Sequence, residues 1–275
     1  MKKKLGVIGG MGPEATAYFY EEVIRHTKAD CDQEHLDMTI LSHASMPDRT
    51  KAIQSGECDP LLQAMEGDLK VMEAAGADAI EINILKIATV LDEKPGEYEK
   101  LHTDILKAIK NAVKIPVTVK MGQRFSNIVA VVNQLKANNA DGVVLFNRFY
   151  QPDIDIHKMQ FTSGTVFSSS SDFSNTMRWI GIVSGQIPNL SLAASTGVHE
   201  PEAVIKALLA GASAVELCSV LYQHGNGIIM QMLTILEEWM QSQGFKTIGE
   251  FKGLLNFKNV PDQSYYERVQ FMKYF

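Results

Sequence analysis

The chain has little cysteine, and its spacing suggests no cross-link. Cys31, Cys58 and Cys218 are odd in number and far apart, which argues against a disulfide framework or a zinc site. Long apolar runs are missing as well. Although hydrophobic residues make up 45 % of the chain, no run approaches the ~18 residues that a bilayer-spanning helix requires. The apolar stretch after the basic start at residues 1–5 is broken at once by Gly9-Gly10-Met11-Gly12-Pro13, so no signal peptide is expected. Positive charge is also short: 26 Lys and Arg face 32 Asp and Glu, a formal charge of −6. The lysines are scattered, so nothing attracts nucleic acid. These absences imply a reducing cytoplasm and a small-molecule partner.

What is present is a repeat of short β-branched runs, each followed by a longer amphipathic segment, the pattern of βα units and a parallel sheet. Strands are expected at residues 5–8, 38–41, 79–84, 116–120, 142–146, 191–195 and 214–218. Helical periodicity covers 14–27, 61–75, 96–113, 127–138, 201–210 and 227–243. The phrase Ala75-Gly76-Ala77-Asp78 is echoed by Asn139-Ala140-Asp141-Gly142 and by Ala210-Gly211-Ala212-Ser213. Each marks a helix turning into a buried strand. The 275 residues match the size of one (β/α)8 barrel of the TIM type. Closure needs an eighth strand, for which Trp179 to Val183 is the candidate, and that stretch reads equally as a helix shielding a ligand. An unclosed edge would invite a homodimer. Residues 161–176 are Ser-rich and aperiodic, either a mobile loop over a site or a solvated connector.

Residues 6–16, Gly-Val-Ile-Gly-Gly-Met-Gly-Pro-Glu-Ala-Thr, together with Asp32-Gln33-Glu34-His35 and Pro47-Asp48-Arg49-Thr50, resemble the amino-terminal part of the aspartate/glutamate racemase family. The resemblance covers residues 1 to about 78. A Gly-rich turn between a strand and a helix offers backbone N–H groups to an anion, and Arg49 suits a carboxylate bidentately. The resemblance implies an amino-acid carboxylate there and two catalytic thiols. Where the first thiol belongs, this chain has Ile84, which cannot move a proton. Cys31 and Cys58 read as surface thiols in connecting segments.

From about residue 79 the likeness changes. Glu81-Ile82-Asn83-Ile84, Ile115-Pro116-Val117-Thr118-Val119-Lys120, the run 142–153 from Gly142 through Asn147 to Asp153, the run 193–199 and the run 217–225 resemble the dihydroorotate dehydrogenase-like FMN-binding (β/α) barrels. All lie at the carboxyl ends of expected strands, where such barrels build their sites. The resemblance implies FMN as cofactor, with Lys120, Asn83 and Asn147 on the polar edge of its ring, and Asn147 also on the substrate. The phosphate then falls to Ser195, Thr196, Gly197, Cys218 and Ser219. A lysine ending an apolar strand is costly unless it meets an anion or electron-rich acceptors. Thr196 stands where the family often has glycine, crowding the phosphate. Cys218, at the end of an expected buried strand, reads as a small hydrophobe. The base that the family supplies as Cys falls on Lys86, which would serve only with a strongly depressed pKa.

The expected molecule is thus a racemase-like segment 1–78 joined to a dehydrogenase-like segment 79–275 in one continuous α/β domain. The leading function is an FMN-dependent oxidoreductase of unassigned substrate. The alternatives are an aspartate/glutamate racemase-like enzyme and a recombined or engineered chimeric scaffold that keeps only the fold.

Overall fold

A computed structural model describes residues 4–9, 13–27, 29–48, 51, 57, 59–89, 91, 92, 94 and 96–269. It divides into two compact units, one of Met1–Ile80 with Ile105–Val117 and one of Glu81–Asp104 with Thr118–Phe275. Arg49, Thr50, Cys58 and the glycine-rich Gly10-Met11-Gly12 fall outside the described residues.

In the first unit, β1 (Lys4–Gly9) pairs in parallel with β2 (Asp37–Ser42), Lys4 opposite Asp37 and Gly9 opposite Ser42. Helix α1 (Pro13–His26) opens on proline, whose fixed φ and missing N–H suit a first helical position. Helix α2 (Asp59–Ala74) buries Leu61, Leu69 and Met72 and packs on β1 and β2.

The second unit is organised by β3 (Ile80–Ile84), β4 (Val117–Met121), β5 (Gly142–Leu145), β8 (Ser191–Ala194) and β9 (Ala214–Val215), hydrogen-bonded in that order. The registers between β4 and β5, β5 and β8, and β8 and β9 are all parallel. All four residues of β5 are buried, as expected of a parallel strand covered on both faces. Strand β4 alternates: Val117, Val119 and Met121 are fully buried, while Thr118 and Lys120 take the other face. The connecting helices are α3 (Glu97–Ala112), which runs on into the first unit, α4 (Ile128–Ala137), α5 (Phe173–Gln186) and α6 (Pro201–Ala210). They are followed by α7 (Ser219–His224), α8 (Gly227–Gln243) and α9 (Ser264–Glu267). No helix among the described residues is long and apolar enough to cross a membrane.

The three echoed phrases share one device. Gly76, Asn139 and Gly211 adopt φ of +93°, +66° and +117°. In each case the next N–H returns five residues: Ala77 to Met72, Ala140 to Leu135 and Ala212 to Ala207, at 2.9 to 3.0 Å. A left-handed residue closes the helix and frees the chain to enter the next strand.

The architecture is α/β with a parallel sheet and surrounding helices, and all seven expected strands form. They lie in a two-stranded and a five-stranded sheet, and among the described residues no pairing joins the edges β3 and β9. One open alternative is decided and two readings are corrected. Residues 179–183 are helical, inside α5, where Ile180, Ile182 and Val183 are buried by helix packing. The Ser-rich stretch is not aperiodic throughout. Its start pairs as β7 (Gln160–Ser163) with β6 (Pro152–Asp155) in an antiparallel hairpin, and its end enters α5. The last strand stops at Val215, so Cys218 is exposed instead of packed in a core.

Candidate functional site

Backbone pairing continues past the ends of the strands and lines the candidate residues up. Asn147 N–H donates to Met121 O at 2.9 Å, Phe146 N–H to Ser195 O at 3.0 Å, and Glu216 N–H to Ala194 O at 2.8 Å. One row of residues therefore crosses the carboxyl ends of β4, β5, β8 and β9. A cavity of about 310 Å³ opens there, at the small end for a ligand site. Of the candidates, Lys120, Asn147, Ser195, Thr196, Gly197, Cys218 and Ser219 line it.

Lys120 does not stand alone. Its Nζ lies 2.5 Å from Glu216 Oε2 and 3.5 Å from Glu81 Oε1. In a flat sheet β4 and β9 would be three strand spacings apart, roughly 14 Å. Contact between their side chains means that the sheet curls toward this face, which makes it the concave one. Burial pulls the Lys120 ammonium down, but the hydrogen bond and charge of Glu216, helped by Glu81, outweigh it and hold its pKa above the ordinary lysine value. Glu81 is pushed up to about 7, by burial first and then by the hydrogen bond and like charge of Glu216, against the pull of Lys120. Glu81 therefore changes charge near neutrality beside the Lys120–Glu216 ion pair.

A stability test follows from the sign of the Glu81 shift. Because the folded state holds this proton more tightly than the unfolded chain, stability falls as pH rises from about 4.5 to about 7. Glu81→Gln abolishes that loss. Urea unfolding at pH 5 and pH 8 should show the variant gaining on the parent at pH 8. The gain is damped because 41 % of the Glu81 side chain is exposed. Identical pH profiles would show that Glu81 titrates normally.

Asn147 Nδ2 donates to Asn83 Oδ1 at 2.5 Å, and Asn147 Oδ1 accepts Arg148 N–H at 2.8 Å. The two asparagines are therefore coupled, with Asn147 facing the cavity. Lys86 lies off it, on the loop after β3, where its carbonyl accepts the Tyr98 hydroxyl at 2.9 Å.

The turn after β8 is held from three sides. Thr176 donates to Ser195 O and Thr196 O at 3.0 and 3.2 Å, and Thr196 Oγ1 donates to Phe146 O at 2.9 Å. Thr196 and Gly197 both have positive φ, +79° and +85°. The threonine hydroxyl is spent on the backbone, so it is not offered to a ligand. Among the described residues neither Thr196 N–H nor Gly197 N–H meets an acceptor, although Gly197 is buried. Buried amides without partners are costly, and successive ones form an anion cradle.

Arg148, Ser168 and Glu216 were not singled out by the sequence as site residues. Arg148 binds the returning loop, donating from Nη1 to Thr165 O and Val166 O at 2.9 Å each and from Nη2 to Thr165 Oγ1 at 3.1 Å. Among the described residues its buried Nε meets no hydrogen-bond acceptor, an Asp172 oxygen standing 3.9 Å away. Ser168 fastens the other end of the loop: its N–H and Oγ reach Ser219 Oγ at 2.9 and 3.0 Å, and its Oγ pairs with His199 Nε2 at 2.9 Å. The Ser-rich segment is thus a pinned wall of the cavity. A sequence signal existed for Arg148 and Glu216, both charged residues beside motif positions. None existed for Ser168, one of four consecutive serines.

The family described as Asp/Glu/Hydantoin racemase matches residues 8–93. Over 187 residues the chain is 29 % identical to the catalytic subunit of dihydroorotate dehydrogenase B (NAD(+)) of Thermoplasma volcanium, covering 66 % of this chain and 61 % of that protein. It is 25 % identical over 232 residues to the NAD-dependent dihydropyrimidine dehydrogenase subunit PreA of Escherichia coli strain K12, covering 77 % and 56 %. With the dihydroorotate dehydrogenase B catalytic subunit of Methanocaldococcus jannaschii the identity is 27 % over 180 residues, covering 64 % and 58 %. The chain is a composition of two parts, one racemase-like and one dehydrogenase-like. It spans 56 to 61 % of the length of these three relatives.

In the racemase-like part, Ile84 at the position of the first thiol is 5 % exposed. One feature of that part went unread in the sequence: His43, just past β2, places Nδ1 2.9 Å from both carboxylate oxygens of buried Asp68 on α2. Among the described residues no group of three or more His, Cys, Asp or Glu could hold a metal.

Proposed function

We propose that the chain binds FMN in the cavity at the carboxyl ends of β4, β5, β8 and β9, and that it is a flavin-dependent oxidoreductase of a small molecule. The observation that carries this reading is a set of unused donors around one cavity: the amides of Thr196 and Gly197 and the buried Nε of Arg148. These fit a phosphorylated ligand. Ser195 and Ser219, with Cys218 beside them, complete the phosphate side, while Lys120 and Asn147, backed by Asn83, provide charge and amide groups for a polar ring edge. When bound, the flavin supplies two-electron chemistry. The protein's part is to orient it, to exclude water behind the wall pinned by Arg148 and Ser168, and to hold a proton on Glu81 beside Lys120. The names of the dehydrogenase relatives support the same class.

Reconstitution tests it. Purified protein incubated with FMN and desalted is expected to be yellow, with about one flavin per chain and shifted flavin absorbance. Colourless protein would end the proposal.

A further inference from the structure

We infer that His199, which does not itself line the cavity, is a positioning residue for the phosphate: acting through Ser168, it turns the hydroxyl hydrogen of Ser219 toward the ligand. The inference rests on the flavin binding just proposed and deepens its phosphate side. Three segments meet here: the pinned loop with Ser168, the turn after β8 with His199, and the start of α7 with Ser219. Ser168 and Ser219 line the cavity, whereas His199 lines a separate polar groove that shares Ser168 with it.

The direction of the hydrogen bonds follows from counting hydrogens. Ser168 Oγ donates to Ser219 Oγ at 3.0 Å and lies 2.9 Å from His199 Nε2. A hydroxyl has one hydrogen to give, so toward the imidazole Ser168 can only accept, and His199 Nε2 must carry the hydrogen. Ser219 Oγ in turn receives the Ser168 N–H at 2.9 Å as well as the Ser168 hydroxyl, which occupies both of its lone pairs. Among the described residues its own hydrogen meets no acceptor, and it is left for a ligand in the cavity that Ser219 lines. The row from His199 through Ser168 and Ser219 therefore donates in one direction, and bonds so aligned polarise and strengthen one another.

The opposite arrangement shows what the histidine contributes. With its hydrogen on Nδ1, Nε2 would draw in the Ser168 hydrogen. Ser168 Oγ would then accept from Ser219, whose hydrogen would turn away from the cavity. A phosphate presents three acceptor oxygens and is served only by the first arrangement. Ser168 is 8 % exposed, which leaves little room for water to replace the imidazole as its donor.

The experiment compares FMN with riboflavin, which has the same ring and no phosphate. Dissociation constants are measured by fluorescence titration for the parent, His199→Phe, His199→Gln, Ser168→Ala and the double variant Ser168→Ala/His199→Phe. The parent is expected to favour FMN by at least about 100-fold. His199→Phe removes the donor and should weaken FMN about tenfold, while riboflavin changes less than about twofold. His199→Gln keeps a donor at the tip of the side chain and should recover most of the loss. In the Ser168→Ala background the change to phenylalanine should cost less than about twofold, because the hydroxyl through which His199 acts is gone. Nitrogen-15 NMR of the neutral His199 ring in the FMN-loaded parent should find the hydrogen on Nε2. That measurement needs no variant, so it decides the matter even if His199→Phe does not fold. A hydrogen on Nδ1, equal losses for FMN and riboflavin, no recovery with glutamine, or an undiminished loss in the Ser168→Ala background would each overturn the inference. A parent that loads FMN while the His199 variants match it sinks the positioning role alone, whereas a parent that takes up neither flavin sinks the cofactor and this role with it.

Discussion

Gly197→Ala is expected to lower the FMN affinity at least about 100-fold, close to 2.7 kcal/mol, and to destabilise the second unit by about 3 kcal/mol. Two physical terms add. The residue sits at φ +85°, where an L side chain is strained by roughly 1–2 kcal/mol. An added Cβ would also stand 2.2 Å from Phe173 N, 2.7 Å from Phe173 Cα and 2.8 Å from Asp172 C. These are backbone atoms at the start of α5, and no rotamer change can clear them. Either the turn or the helix must move, and the turn carries the two unpaired amides. Thr196→Gly is the control. It relieves the left-handed strain at φ +79° but forfeits the hydrogen bond to Phe146 O, so its stability should stay within about 1 kcal/mol of the parent and its flavin affinity should hold. Fluorescence titration with FMN and urea unfolding of both variants decide the matter. A Gly197→Ala protein with parental affinity would show that the phosphate is held elsewhere.

The contrast between these neighbours shows where sequence reasoning was strong. Strand and helix positions were legible because each βα unit repeats the same periodicity and the same left-handed stop at Gly76, Asn139 and Gly211. The distribution of the strands between two sheets was not, since alternation along a strand says nothing about its neighbour. Residues 179–183 stayed open between strand and helix because a short apolar run is shared by strands and buried helix faces. In the candidate site, the motifs pointed to Lys120, Asn147 and the turn at 195–197, which line one cavity. They did not foretell that Glu216, three strands away from Lys120 in the sheet order, would neutralise it. That pairing depends on sheet curl, a property of the assembled strands. Thr196, standing where the family often has glycine, was expected to crowd the phosphate. The backbone instead takes it as a donor to Phe146 O, so the side chain serves the turn.

Phe251→Ala should produce the largest loss of stability among the changes considered, about 3–5 kcal/mol, with a fall in Tm of roughly 10 °C. Phe251 is 0 % exposed at the centre of a cluster with Ile205 and Leu208 of α6 and Leu236 of α8. Its ring meets Trp239 edge-on at 5.0 Å and 72°, and Phe245 lies 5.3 Å away. Truncation loses the buried area, the ring contacts and the atoms that fill the space between two helices. The same residue anchors the carboxyl-terminal segment, whose Gly253 and Leu255 N–H groups donate to Leu208 O and Leu209 O at 2.9 and 3.0 Å. Phe251→Leu, which keeps most of the volume, should recover more than half of the loss. Because no residue of the cluster lines the cavity, flavin affinity measured well below the melting temperature should change less than about threefold. Stability and affinity therefore separate: Gly197→Ala strikes both, and Phe251→Ala strikes the first. If Phe251→Ala melted like the parent, α6 and α8 would have to be held by something other than this aromatic cluster.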